Sequence, residues 1–382
     1  MKLSTERILT THTGSLPRPD DLVALMYAKE EGGAAPGLEE RVRSAVVEVV
    51  DRQLDAGIDV IDDGEVSKPS YATYVKDRLT GFGGDDNRAS SGYLAYYRDE
   101  FPEWAERMAQ DPYRARRSAP ACNGPIDQRD PDAVQRDIAN FRAALGGRQP
   151  SDAFMTAVSP GTIAQFLHNA YYPTQEAYLY ALADAMRPEY RAIVDAGFLL
   201  QVDCPDFTGL GERIEEGKLG DFRANLERRV EVLNYALDGL PPEQLRMHLC
   251  WGNWAGPHTH DVPLRDILDL VFQARPSAIS FEGANPRHEH EWTVFKDIKL
   301  PEGKAIIPGV IDSCSNYVEH PELVAQRILR YAQLVGRENV IAGSDCGFGT
   351  FVGRITVDPR IVWVKLQALA EGARLASQEL WS

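Results

Sequence analysis

Positive charge is in short supply in this sequence: 41 lysines and arginines stand against 57 aspartates and glutamates, for a net charge of −16. Such a surface repels a phosphate backbone or an anionic bilayer, so neither nucleic acid nor membrane is the expected partner. Cysteine is scarce as well. Cys122, Cys204, Cys250, Cys314 and Cys346 are odd in number and irregularly spaced, which argues against a disulfide framework and fits the reducing cytoplasm. No apolar run reaches the length of about 18 residues that a spanning helix needs. The first residues, M-K-L-S-T-E-R-I, have no long apolar core of the secretory kind. Gly-x-Gly-x-x-Gly follows no early strand-like run, and phosphate-loop and serine-triad patterns are missing. What remains is a chain of 382 residues, 43% hydrophobic, able to bury one large core and expected to act on small molecules.

A regular alternation is present. Eight short apolar runs are Ile8 to Thr13, Ile58 to Ile61, Ala153 to Ala157, Leu199 to Val202, Leu245 to Leu249, Ala278 to Phe281, Ala305 to Pro308 and Val340 to Ala342. Segments with helical spacing lie between several of them. In Leu38 to Ala56, Val42, Val46, Val49 and Gln53 share a face before Gly57 ends the helix. In Leu323 to Val335 the buried side is Val324, Ile328, Tyr331 and Val335, with Pro321 at the start and Gly336 at the stop. L-D-A-G-I-D-V-I-D-D-G-E from Leu54 and V-D-A-G-F-L-L-Q-V-D-C-P from Val194 both read helix, turn, strand, acid. Eight strand–helix units predict an α/β fold of one domain, a closed (β/α)8 TIM barrel, ahead of an open doubly wound sheet. Residues 83–150 break the alternation and carry Tyr93, Tyr96, Tyr97, Trp104 and Tyr113 among many charges. They are expected to form an insertion after the second strand, acting as a lid or as a contact in a homo-oligomer.

In such a barrel the residues that follow each strand converge on one mouth. Here those positions are polar: His12, Gly14 and Ser15, then Asp62, Asp63 and Glu65, then Asp203, His248 and Cys250, Glu282, Asp312 and Cys314, and Asp345 and Cys346. His248 and Cys250, two apart on an extended strand, project to one side. Imidazole, thiolate and carboxylate suit the tetrahedral shell of zinc, so Glu282 and Cys346 complete a candidate set of four ligands. H-x-C alone is weak evidence and reads more readily as a core cysteine and a satisfied histidine. Glu282 tips the balance, because a carboxylate ending the run A-I-S-F is costly to bury without a metal or a base. His258 and His260 in G-P-H-T-H-D are expected to bond within their loop, and His288 and His290 to mark a solvated helix start. Cys122 and the arginines Arg114, Arg116 and Arg117 carry no readable geometry.

From T-T-H-T-G-S-L-P-R-P at Thr10 to S-D-C-G-F at Ser344, the chain resembles the catalytic domain of cobalamin-independent methionine synthase and its single-barrel relatives, including the epoxyalkane:coenzyme M transferases. In that family H-x-C, a distant glutamate and the cysteine of D-C-G bind zinc, which implies His248, Cys250, Glu282 and Cys346 as ligands. The family's G-S, its G-E glutamate and the aspartate of D-x-P hold the amino-acid part of homocysteine, implying Gly14, Ser15, Glu65 and Asp203. The folate side departs from the pattern. The family's D-I-H-S, with its proposed proton-donating histidine, is Asp312-Ser313-Cys314-Ser315 here. No tryptophan follows S-P-G-T-I from Ser159 where the family places one beside folate.

The resemblance therefore implies a zinc-dependent S-alkyltransferase that activates a small thiol for attack on an electrophilic carbon, forming a thioether. A non-folate electrophile such as an epoxide is the expected alkyl donor, with methyl transfer from methyltetrahydrofolate to homocysteine as the alternative. A zinc hydrolase or a thiol-binding protein is the third reading, with Asp345 as its candidate base. His12, His258 and His260 are candidate proton donors, Cys314 is expected on the substrate side, and Arg18 and Arg287 are candidate cations for a sulfonate.

Overall fold

A computed structural model of the chain describes residues 1–84, 97–110, 120–209, 214–215 and 217–382. Its strands are β1 (Leu9–Thr10), β2 (Val60–Ile61), β3 (Phe82–Gly83), β4 (Ala121–Cys122), β5 (Asp152–Val158), β6 (Leu199–Asp203), β7 (Leu245–His248), β8 (Ala278–Phe281), β9 (Ala305–Ile311) and β10 (Ile341–Ser344). Eight of them form a parallel sheet in the order β1-β10-β9-β8-β7-β6-β5-β2, one for each apolar run. The two ends of this order meet, since the Asp59 N–H donates to the Thr10 carbonyl at 3.2 Å and Thr11 Oγ1 donates to the Val60 carbonyl at 2.9 Å. The fold is a (β/α)8 barrel in a single domain.

The runs are nearly unbroken in apolar character because both strand faces are covered, by helices outside and by the barrel interior within. At the end where the strands begin, Val60, Phe154 and Leu199 form one cluster and Leu9, Ala278, Ala305, Ile307 and Ile341 another, and the partly buried Met1 packs against both.

Helix Leu38–Asp55 buries Val42, Val46, Val49 and Gln53, and Pro321–Val335 buries Val324, Ile328 and Tyr331, the faces that the spacing predicts. The two echoing segments share a physical cause. Gly57 and Gly197 stand at φ 84° and 87°, the left-handed conformation that ends a helix and turns the chain into β2 and β6.

The segment 83–150 is partly barrel wall. Ala133–Leu145 is a helix whose buried Val134, Ile138 and Phe141 join the main core, and it packs against Leu38–Asp55. Upstream, β3 and β4 pair antiparallel. Tyr97 and Trp104 pack on Trp254, while Tyr93, Tyr96, Tyr113 and the arginines Arg114, Arg116 and Arg117 lie outside the described residues.

Candidate metal centre

Strand register assembles the mouth. β7 pairs with β6 and β8 so that His248 lies opposite both Asp203 and Ser280. Ser280 Oγ sits 3.1 Å from His248 Nδ1, which leaves Nε2 buried and without a hydrogen-bond partner. Cys250, two residues on, and Cys346, just past β10, place their sulfurs 3.5 Å apart as free thiols. One ligand atom from each of His248, Cys250 and Cys346 lies within 4.8 Å of the others, and all three residues are buried.

This trio fits a soft dication. Burial, with the Arg246 guanidinium nearby, lowers the His248 pKa to about 3, so its imidazole is neutral and free to ligate. The contact with Cys346, followed by burial, holds the Cys250 thiol well above its ordinary range. A stranded imidazole nitrogen and two facing thiols are costly to bury, and zinc would satisfy all three donors.

Glu282 stands outside the group that meets the 4.8 Å distance. Its Oε1 accepts the Trp251 N–H at 2.7 Å and its Oε2 accepts Asn285 Nδ2 at 2.7 Å. Asp345 accepts the N–H groups of Gly283, Ala284 and Asn285, each at 2.8 Å, and Asn285 Nδ2 at 3.0 Å. Burial, then the Glu282 charge, lifts its pKa to about 7. The residue considered as a base is thus placed to organise the loop after β8.

A second group lies beside the trio. Gly14, at φ 141°, has no room for a side chain: a Cβ would come 2.6 Å from Thr156 Cγ2 and 2.8 Å from Glu65 Oε1, with Asp62 Oδ2 at 3.4 Å. Glu65 itself holds a left-handed φ of 54°, its N–H bonded to Asp63 Oδ1 at 3.0 Å. Asp62 Oδ2, Glu65 Oε2 and Gln201 Oε1 are buried without hydrogen-bond partners. Gln201 Nε2 donates to Asp203 Oδ1 at 2.8 Å. Burial and neighbouring carboxylates push Asp62 and Asp203 well above the usual carboxylate range. The buried Lys68 ammonium is bonded to the Thr156 carbonyl and hydroxyl at 2.6 and 3.0 Å. Ser15 joins this group to the metal side, because its carbonyl accepts the Phe348 N–H at 2.7 Å, two residues past Cys346.

The remaining candidates have defined places. His12 accepts the Gly14 N–H at Nδ1 at 3.1 Å, so Nε2 carries the proton and donates to Gln53 Oε1 at 2.7 Å. Burial lowers its pKa to about 4. Nδ1 thus holds the Gly14 turn, while Nε2 anchors the ring on Gln53 beside Asp62 Oδ1 at 3.6 Å. Cys314 Sγ lies 3.1 Å from Asn253 Oδ1, and Asn253 Nδ2 donates to the Gly347 carbonyl at 2.7 Å, so this thiol sits at the metal-side mouth. Arg18 is bonded to the carbonyls of Gly349, Glu65 and Lys68 at 2.5, 2.7 and 2.8 Å, and Arg287 is exposed. His258 bonds Asp261 at 2.8 Å within its loop, and His260 reaches Glu100 at 2.6 Å. His288 is not solvated: it is buried, bridges Asp261 and Glu291 at 3.0 and 2.9 Å, and stacks on Trp251 at 4.2 Å. His290 is exposed.

Several contributors are missing from the sequence-based set: Ser280, Arg246, Asn253 and Asn285. Two of them carried a signal, since Ser280 and Arg246 stand two residues before Glu282 and His248 and share their strand faces.

No family model matches the chain. A curated methionine synthase of Saccharolobus solfataricus is 26% identical over 97% of this chain and 95% of its own length. A 2-hydroxypropyl-CoM lyase of Xanthobacter autotrophicus is 24% identical over 98% and 96%. The chain is related to this superfamily. No single relative fixes the branch, because the names differ in the reaction they describe. A solved B12-independent methionine synthase from Shewanella, bound to selenomethionine, shares the barrel with a TM-score of 0.72 at 19% identity, over 98% of this chain and 99% of that one.

Proposed function

We propose that this chain transfers an alkyl group, in its simplest form methyl, to the sulfur of a small amino-acid thiol of the homocysteine type at a zinc ion held by His248, Cys250 and Cys346. The observation that carries this reading is the buried His–Cys–Cys trio, whose His248 pairs in strand register with Asp203 of an acidic group in which Asp62 Oδ2 and Glu65 Oε2 have no hydrogen-bond partner. Bound zinc would keep the substrate sulfur as a thiolate, the form that attacks carbon. The substrate ammonium answers the unpartnered oxygens of Asp62 and Glu65 and shares Asp203. Gly14 clears the space where these groups converge, and His12 fixes the turn that carries it. A carbon–sulfur bond forms, the bond from that carbon to the donor's leaving atom breaks, and the leaving atom keeps the electron pair.

Two considerations place methyl transfer ahead of the epoxide chemistry expected from the sequence. The relatives are named methionine synthase more often than 2-hydroxypropyl-CoM lyase. A sulfonate-bearing thiol would need a cation, whereas Arg18 is occupied by three carbonyls and Arg287 is exposed. The epoxide reading keeps one support, the thiol of Cys314 where the family has a histidine. To test the choice, zinc-loaded protein is given homocysteine or 2-mercaptoethanesulfonate with methyltetrahydrofolate or epoxypropane, and products are weighed by mass spectrometry. Methionine is the expected product. A hydroxypropyl thioether of the sulfonate thiol would restore the epoxide reading, and failure of every thiol to bind would leave the hydrolase reading.

A further inference from the structure

Asn253, in the loop that follows β7, joins that loop to two others. Its Nδ2 donates to the Gly347 carbonyl at 2.7 Å, just past β10. Its Oδ1 accepts the Ser313 hydroxyl at 3.0 Å and the Cys314 thiol at 3.1 Å, both just past β9. A flipped amide would set its oxygen against the Gly347 carbonyl, so the orientation is fixed and Oδ1 faces the two donors. The Cys314 proton is thereby engaged. The turn that carries this thiol has supports of its own: the Cys314 N–H donates to Asp312 Oδ1 at 2.8 Å, the Asp312 N–H donates to Glu319 Oε1 at 2.8 Å, and the Lys365 ammonium holds the two Glu319 oxygens at 3.0 and 2.8 Å. What Asn253 adds is therefore exerted at the sulfur.

Cys122, Cys204, Cys250 and Cys346 are buried, whereas Cys314 is partly exposed. A thiol so placed, at a mouth that receives an alkyl donor, is itself a target. As thiolate it would attack the donor carbon: a carbon–sulfur bond forms, the donor's leaving atom departs with the electron pair, and the thiol proton passes to water. We propose that Asn253 is a positioning residue that holds Cys314 as a neutral, hydrogen-bonded thiol and so keeps the protein from alkylating itself. The proposal rests on the alkyl-transfer reading above for the source of the electrophile, while the restraint on the thiol is a property of the chain alone. An acceptor on S–H stabilises only the neutral form, and the thiolate is the nucleophile. The surroundings act in the same direction. Burial first, then Asp312 on the same loop, Glu282 after β8, Asp345 after β10 and Cys250 after β7, push this thiol well above its ordinary range.

The test follows alkylation of Cys314 at neutral pH by iodoacetamide, an uncharged probe, and by epoxypropane, in the full chain with and without zinc, using peptide mapping by mass spectrometry. Asn253→Ala is expected to raise the rate at Cys314 about 3-fold with either reagent, a size set by the modest net worth of one hydrogen bond. Asn253→Leu, which fills the same space without an acceptor, repeats the comparison if the alanine variant is poorly folded. Two further variants separate the bond to the thiol from bracing of the loops. Ser313→Ala removes one link between the loops but keeps the bond to the thiol, and Asn253→Asp loses the link to Gly347 but keeps an acceptor. Both are expected to react no faster than wild type. Equal rates in wild type, Asn253→Ala and Asn253→Leu would overturn the proposal. Faster alkylation in Ser313→Ala and Asn253→Asp as well would also overturn it, by showing that loop bracing alone guards the sulfur. Failure of wild type to bind zinc would bring down the functional reading, and the rates in the metal-free chains would still decide the role of Asn253.

Discussion

His248 and Cys250 enter metal binding in opposite protonation states, and this gives the site a definite pH dependence. The imidazole is already neutral, its pKa lowered to about 3 by burial and Arg246, whereas contact with Cys346 and burial hold the Cys250 thiol well above its ordinary range, and at Cys346 the contact with Cys250 lowers the pKa but burial and the Glu282 charge outweigh it. Each zinc should release about two protons near neutral pH, so apparent affinity rises with pH by about 100-fold per unit while both thiols are protonated. Calorimetry in buffers of different ionisation enthalpy counts those protons, and a count near zero would point to other ligands. Zinc content should fall from about one per chain to near zero in Cys250→Ser or Cys346→Ser, because a hydroxyl is a poor substitute for thiolate. Gly14→Ala makes the complementary prediction. Its Cβ would press on Thr156 and Glu65 from a φ of 141°, at a cost of about 1–3 kcal/mol, so homocysteine binding should be lost while zinc content is kept. The candidate trio His248, Cys250 and Cys346 is legible in the sequence because H-x-C and S-D-C-G are local spacings, while Glu282, the fourth candidate, stands outside the group that meets the 4.8 Å distance. Asn285 and Asn253 are not legible, since their roles arise from hydrogen bonds between loops of separate strands, and no local pattern encodes that pairing.

At the level of elements, the eight barrel strands could be read because each is buried on both faces and flanked by a helix of clear period. β3 and β4, two residues each, leave no period to detect. Helix Ala133–Leu145 has an apolar stripe, but it sits within a polar, aromatic stretch whose composition masks it. The loop from Cys250 to Val262 shows how such stretches are held. Trp251 Nε1 donates to the Val262 carbonyl at 2.7 Å, and the Trp251 ring lies on His288, which bridges Asp261 and Glu291. Burial alone would lower the His288 pKa, yet its bonds to Asp261 and Glu291 outweigh burial and raise it to about 10. The folded value exceeds the unfolded one, so the stabilisation is complete below about pH 6.5 and disappears as pH rises through about 10. His288→Leu removes the imidazole from the buried Glu291 and leaves Asp261 with His258 alone, and should cost roughly 3 kcal/mol at pH 6, with the penalty shrinking above pH 10. Urea unfolding at the two pH values measures it; a penalty independent of pH would mean that only the stacking on Trp251 matters.

For the whole molecule the mouth is an excess of buried acid on a chain already at −16. Burial first, then neighbouring carboxylates, raises Asp62 and Asp203 well above the usual range, while burial dominates in lifting Asp63 to about 6 and Asp345 to about 7. These groups keep protons in the folded state that the unfolded chain gives up near pH 4, so the folded state binds more protons between those values. Stability contributed by them is therefore full below about pH 4 and declines as pH rises through about 6 to 7. The metal-free protein should have a lower Tm at pH 8 than at pH 5, and Asp63→Asn should flatten part of that slope. Zinc with homocysteine should act in the other direction: ligands that bind only the folded state stabilise it, by about 2.7 kcal/mol at 100 times the Kd. An ammonium placed among the carboxylates favours their charged form and offsets part of the rise in their pKa, so the decline with pH should be smaller in the ternary complex than in the zinc form alone. Calorimetric Tm values at pH 5, 6, 7 and 8 for the three forms decide the matter. Equal slopes in the zinc and ternary forms would mean that the substrate's charge does not enter this pocket, and the amino-acid thiol would lose its main physical support.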